Sequence, residues 1–200
     1  MGYTTDFSGS FQLDKPLQPK IKAFLTKLGE TRRMKRNVDE AFGIEGEFFV
    51  FGTGDYGQGQ DDNIVDHNQE PKTQPSLWCQ WVPNEDGTCI EWDGNEKFYG
   101  YNDWIFYIIN KILKPNGYVL NGIVQWQGEE NGDVGKIVII DNVITIRPYD
   151  EDEYVLTSNK VEKYTYKLEE VKNYMRTDVV LILNEDDNSL IEANQNLLEA

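Results

Sequence analysis

The chain has 200 residues, 39% of them hydrophobic and 12% aromatic, and sets 19 basic against 35 acidic side chains for a net charge of −16. That length makes one domain, or one domain with an appendage, and is enough to bury a core; the charge opposes direct binding to a nucleic-acid backbone. No apolar run approaches the roughly 18 to 20 residues of a membrane span, and the N-terminal residues lack the basic-then-apolar form of a secretion signal, so the expectation is a soluble, cytoplasmic protein with no membrane partner.

In chain order, an extended start leads to "PKIKAFLTKLG". There Ile21, Phe24, Leu25 and Leu28 recur at the i, i+3, i+4, i+7 spacing of one helix face, and Gly29 stands where a C-cap glycine would. "GEFFVFG" predicts a short strand through Phe48, Phe49, Val50 and Phe51, closed by Gly52. Residues 52–75 are rich in Gly, Asp, Asn, Gln and Pro without apolar periodicity; inside a compact domain such a loop is usually functional or disordered.

"SLWCQWV" and "TCIEW" follow as β-rich runs joined by "PNEDG", which carries the chemistry of a hairpin loop. Pairing Val82 with Thr88 sets Trp78 opposite Trp92, with Gln80 and Ile90 on that side and Cys79, Trp81 and Cys89 on the other. Asn102 and Asp103 are positioned to cap a helix through "WIFYIINKIL", apolar almost all round and therefore buried. "GYVLNGIVQWQ", "KIVII" and "VITI" read as three strands, the last two joined by a tight Asp141-Asn142 turn. The predicted fold class is α+β: an antiparallel meander sheet with a buried helix behind it, over residues 1–148.

Residues 149–200 form the predicted second unit, an acidic C-terminal extension packed on the core, with thirteen acids against five bases. "YVLTS", "YTYKLEEVKNYM", "DVVLILN" and "SLIEANQNLLEA" read as strand, helix, strand, helix. Ser189 and Glu192 make a capping box for the last.

The strings "TRRMKR" (31–36), "QPSLWCQW" (74–81), "DGTCIEWDGNEKFY" (86–99) and "GYVLNGIVQWQGEE" (117–130) resemble a family of bacterial proteins to which no activity is assigned. The resemblance spans about the first 148 residues and implies a shared fold. The tail lies outside it.

Candidate sites are few. "GTGDYG" (52–57), with Asp55 and Tyr56, matches G-x-G-x-x-G after an apolar run, but a dinucleotide fingerprint also needs a helix opening at the third glycine; "QGQDDN" follows instead, which reads as a glycine-rich loop. His67, the one histidine, could join Asp61, Asp62 and Asp66 around a divalent metal, against the simpler reading of a solvated loop; neither a metal nor a cofactor is expected. Cys79 and Cys89 fit no zinc spacing and read as packing residues. Arg32, Arg33 and Arg36 form the basic cluster, either an anion site or partners for the acidic surface around them. Trp78 and Trp92 on a sheet could stack a flat ligand, and Glu91 is the strand carboxylate to examine for general acid or base work. In the tail, Asp150, Glu151, Asp152, Glu153, Glu185, Asp186 and Asp187 are the candidate partner-binding residues.

Three functions follow in order. The first is a non-enzymatic acidic interaction protein that binds a basic partner, in its limiting form an inhibitor or nucleic-acid mimic. The second is a small-molecule or nucleotide-like ligand-binding module using the 52–75 loop. The third is a carboxylate-dependent hydrolase.

Overall fold

The computed structural model describes residues 2–148 and the backbone of residues 180–183 and 190–193. The elements are β1 (Thr5–Leu13), α1 (Pro19–Glu30), β2 (Lys35–Arg36), β3 (Ile64–Asp66), β4 (Trp81–Pro83), β5 (Cys89–Trp92), α2 (Tyr101–Tyr107, running on as a π-turn through Ile108–Leu113), β6 (Leu120–Gly128), β7 (Val134–Ile140), β8 (Val143–Pro148), β9 (Val180–Leu183) and β10 (Leu190–Ala193). Among them no helix is long and apolar enough to cross a membrane.

Six strands make one antiparallel sheet in the order β4-β5-β1-β6-β7-β8. The α+β class with an antiparallel sheet is as expected; the pure meander is not. The extended start is β1, inserted between β5 and β6, where it pairs along its whole length from Thr5↔Gly128 to Leu13↔Leu120. Its alternation suits that place: Phe7 and Phe11 turn inward while Asp6 and Ser8 face solvent. The helices α1 and α2 share one core with the inner sheet face, in which Phe11, Trp81, Ile90, Val124 and Ile137 are fully buried. Each such side chain contributes about 1.5–3 kcal/mol by leaving water.

The α1 stripe is confirmed, with Ile21, Phe24, Leu25 and Leu28 all buried. Gly29 does not cap the helix, which ends at Glu30. It lets the helix approach the sheet, since a Cβ there would fall 2.7 Å from Val82 Cγ1. Helix α2 is buried as its composition requires. It starts one residue earlier than the predicted caps, after Gly100 in the left-handed region, so Asn102 and Asp103 lie in its first turn. The Asp141-Asn142 turn is formed with both residues at positive φ, 49° and 66°, the twist a two-residue hairpin needs.

Two expectations are corrected. The β4–β5 register is Trp81↔Trp92 and Pro83↔Ile90, shifted by three residues from the expected pairing, which puts Trp81 on the buried face with Ile90 and leaves Trp78 before the strand. Asn84 sets this register, because its Oδ1 accepts the amides of Thr88 and Cys89 and closes a loop wider than supposed. "GEFFVFG" is not a strand: residues 47–52 turn and run irregularly, with Phe48, Phe49 and Val50 buried. Its carbonyls bond to an arginine instead of a neighbouring strand, as described below.

In the tail, "DVVLILN" contains β9. Leu190–Ala193 is a strand pairing with it, from Leu190↔Leu183 to Ala193↔Val180, and not the start of a helix. Glu192 sits in this ladder opposite Leu181, and Ser189 of the expected capping box lies outside the described residues. The other predicted tail elements, and the candidate acids at 150–153 and 185–187, lie outside the described residues.

Candidate functional site

Directly after α1 the chain runs through Thr31–Arg36 in extended form and gathers the long loop against itself. The amide of Arg32 bonds to Tyr56 O, that of Arg33 to Leu77 O, and that of Lys35 to Gln69 O; β2 pairs with β3 beside them. The three arginines of the segment then reach into the loop.

Arg33 is fully buried. Its Nε donates to Gln74 Oε1 at 2.7 Å, Nη2 to Glu47 O at 2.7 Å, and Nη1 to Phe49 O. Burial lowers its pKa to about 10, which leaves it charged at neutral pH. The cation lies among the buried Gln74, Glu47 and Lys111, with Lys111 Nζ 3.8 Å from Glu47 Oε1. Arg36, also buried, donates to Gly57 O at 2.6 Å and to Asp61 Oδ2 at 3.0 Å, and lies 4.3 Å over the Phe49 ring. Arg32 bonds to Gln58 and Asn68 side chains and sits over the Trp78 ring at 5.8 Å.

Arg36 thus pairs with one of the surrounding acids, Asp61, while Arg33 is held by Gln74 and two main-chain carbonyls. Arg36 also donates to Gly57 O, its Nε is left without a hydrogen-bond partner, and of the three arginines only Arg36 meets a carboxylate at ion-pair distance among the described residues. Arg33 and Arg36 both bind the loop to the segment that follows α1.

The "GTGDYG" loop is thereby held closed. A Cβ at Gly52 would fall 2.8 Å from both Gly57 Cα and Gly57 O, so the two glycines permit backbone-on-backbone contact. A single 3-10 turn, Asp55–Gly57, follows and no longer helix opens, so the arrangement a pyrophosphate needs is absent from this segment. Tyr56 holds φ 56°, a left-handed conformation that costs a non-glycine residue about 1–2 kcal/mol. Its ring stands edge-on to Trp78 at 5.5 Å and 88°.

Between this loop and the last turn of α1 lies a cavity of about 770 Å³, lined by Lys27, Glu30, Thr31, Phe51, Asp55 and Tyr56 among others. Phe51 and Tyr56 are 64% and 58% exposed, which makes them the aromatic walls open to solvent. Lys27 Nζ is paired with Glu30 at 2.9 Å. Asp55 has no ion-pair or side-chain hydrogen-bond partner among the described residues.

Of the predicted candidates, Asp55 and Tyr56 line the cavity, Trp78 and Arg32 support Tyr56 from behind, and Arg33 and Arg36 fix the loop. Glu91 and Trp92 lie elsewhere on β5. Trp92 Nε1 donates to Gln80 Oε1, its ring packs on Phe7, and Glu91 Oε2 is 3.8 Å from Cys89 Sγ. Burial pushes the Cys79 thiol up to about 12 and raises that of Cys89, so neither is a ready nucleophile. Asp133 accepts from Tyr3 Oη and Trp126 Nε1 and serves to anchor the N-terminal strand. The proposed metal ligands are dispersed: Asp61 serves Arg36, Asp66 accepts the amide of Asn68, and no metal-holding group of three such side chains occurs among the described residues.

Sequence reasoning missed Phe51 and Glu30. Composition places Phe51 in a strand with its buried neighbours; its place directly before Gly52, where the chain must turn out, is the signal that marks it as exposed. Comparison of the chain with protein-family models, with curated proteins and with solved structures finds no match to any of them.

Proposed function

We propose that this protein is a non-enzymatic binding protein for a basic partner. The observation that carries the reading is the cavity between α1 and the 52–57 loop. It combines two exposed aromatic rings with the carboxylates of Glu30 and Asp55, on a chain of net charge −16. Complementary charge steers a cationic partner towards such a surface, and the recess supplies the shape that charge alone lacks. The test is fluorescence anisotropy of labelled octalysine and octaglutamate peptides with the full chain at low and high salt. Saturable, salt-sensitive binding of the cationic peptide alone is expected; absence of binding at low salt sinks the reading.

A second reading is a small-molecule binding module at the same place, favoured by the cavity volume, which lies within the ~300–1,000 Å³ of ligand sites. A thermal shift with an uncharged aromatic ligand, undiminished by salt, would favour it over the first.

A further inference from the structure

Resting on the reading of a basic partner, we propose that the 50–57 cavity is a receptor for an arginine side chain carried by that partner. Its occupant must satisfy three features at once. The walls open to solvent are the Phe51 and Tyr56 rings, so a flat or cationic group that lies on a π-face is preferred over an aliphatic one. Asp55 presents a carboxylate with no cation on it among the described residues, while the nearby Lys27 is already paired with Glu30. An anion would meet both carboxylates, and a neutral aromatic would leave Asp55 uncompensated.

A guanidinium answers all three. It is planar, weakly hydrated, stacks on aromatic rings and forks onto a carboxylate, whereas an ammonium is a strongly hydrated point charge that gains less from the rings. The same chemistry already operates in the wall behind the cavity, where Arg32 lies over Trp78 and Arg36 over Phe49. The Tyr56 ring is also set in advance. Its backbone is held at φ 56° by the bond from the Arg32 amide to Tyr56 O, and its ring by the edge contact with Trp78. Tyr56 thus bears a left-handed backbone, which strains a non-glycine residue, at the position where its ring lines the cavity.

The test compares labelled octaarginine and octalysine, equal in charge, against the full chain at about physiological ionic strength, where exposed long-range charge is partly screened. The parent should bind octaarginine about 2- to 5-fold more tightly than octalysine, the difference expected of a cation–π contact at an exposed site. Phe51→Ala and Tyr56→Ala should weaken octaarginine more than octalysine and so bring that ratio to about 1, and Asp55→Asn should weaken octaarginine by a similar factor. Melting curves establish that each variant is folded; if Tyr56→Ala is not, the exposed Phe51 and Asp55 variants carry the test. Equal affinity for the two peptides, or a ratio that survives Phe51→Ala and Asp55→Asn, overturns the arginine receptor while the basic-partner reading stands. Binding of neither peptide overturns both.

Discussion

Arg36 Nη2 lies 2.6 Å from the carbonyl oxygen of Gly57, while Nη1 of the same buried guanidinium holds Asp61 at 3.0 Å, so one side chain fixes both ends of the glycine loop's exit. Lysine cannot reach two such acceptors at once with a planar fork. Arg36→Lys should therefore destabilise the fold by about 2–4 kcal/mol, as expected for a buried charged group that loses a partner. Urea unfolding monitored by tryptophan fluorescence measures this, and the variant should also lose affinity for cationic peptides.

Arg33 makes the stronger case. Replacing it with methionine fills much of the space but leaves Phe49 O and Gln74 Oε1 without the donor they have in Arg33, and takes from Glu47 O one of its two donors, the other being Gln74 Nε2. The expected loss is about 3–5 kcal/mol, by which a domain of ordinary stability is largely unfolded. A well-folded Arg33→Met protein with an unchanged denaturation midpoint would refute the role assigned to this residue.

Tyr56→Gly separates strain from function. Relief of the left-handed backbone should offset the loss of the Trp78 contact, so stability should stay within about 1 kcal/mol of the parent. Peptide binding, by contrast, should fall. Parallel loss of both would show the ring to be structural.

Asp93 gives a pH signature. Burial raises its carboxyl above the usual value of 3.8, against the opposing bonds from Asn95. The folded state thus favours the protonated form. Its contribution is fully present below the unfolded value near 3.8 and is lost as pH rises through the higher folded value. Asp93→Asn should match the parent at low pH and become the more stable of the two as pH rises above this range, a difference read from denaturation midpoints across a pH series.

Cys79 is wholly buried with its thiol pushed up to about 12. A thiol-specific reagent at mildly alkaline pH should therefore leave it unmodified in the native protein and label it on unfolding. Rapid native labelling of Cys79, resolved by peptide mapping, would contradict the packing described.

The elements that were legible from sequence are those whose periodicity is local. The α1 stripe, the buried α2 and the β6–β7–β8 run each announce their environment within a dozen residues. What was not legible depends on partners distant in the chain. The alternation of Phe7 and Phe11 marks a strand, but its insertion between β5 and β6 is decided by pairing with residues more than seventy-five positions away. The β4–β5 register turned on one side chain, Asn84, that bonds across the loop. "GEFFVFG" has the composition of a strand, and only the position of Arg33 reveals that its carbonyls are bonded otherwise. For the site, Asp55 and Tyr56 were found through their glycine spacing, although the glycines serve loop closure and not phosphate. Phe51 and Glu30 come together only through the fold.

The segment from Thr31 to Arg36 meets the loop at Tyr56, Gln69 and Leu77 through its backbone and at Gly57, Gln58, Asp61, Asn68 and Gln74 through its side chains. These tethers divide one long excursion into several short closures, and the entropy of each is nearly independent of the others' length. They share a single strip of chain, however, so none can be released far without loosening the next. The loop should therefore open as one cooperative unit. The amides of Arg32, Arg33 and Lys35 that tether it should exchange with solvent at a common free energy, distinct from that of the central sheet, and a change at Arg33 should shift them all together.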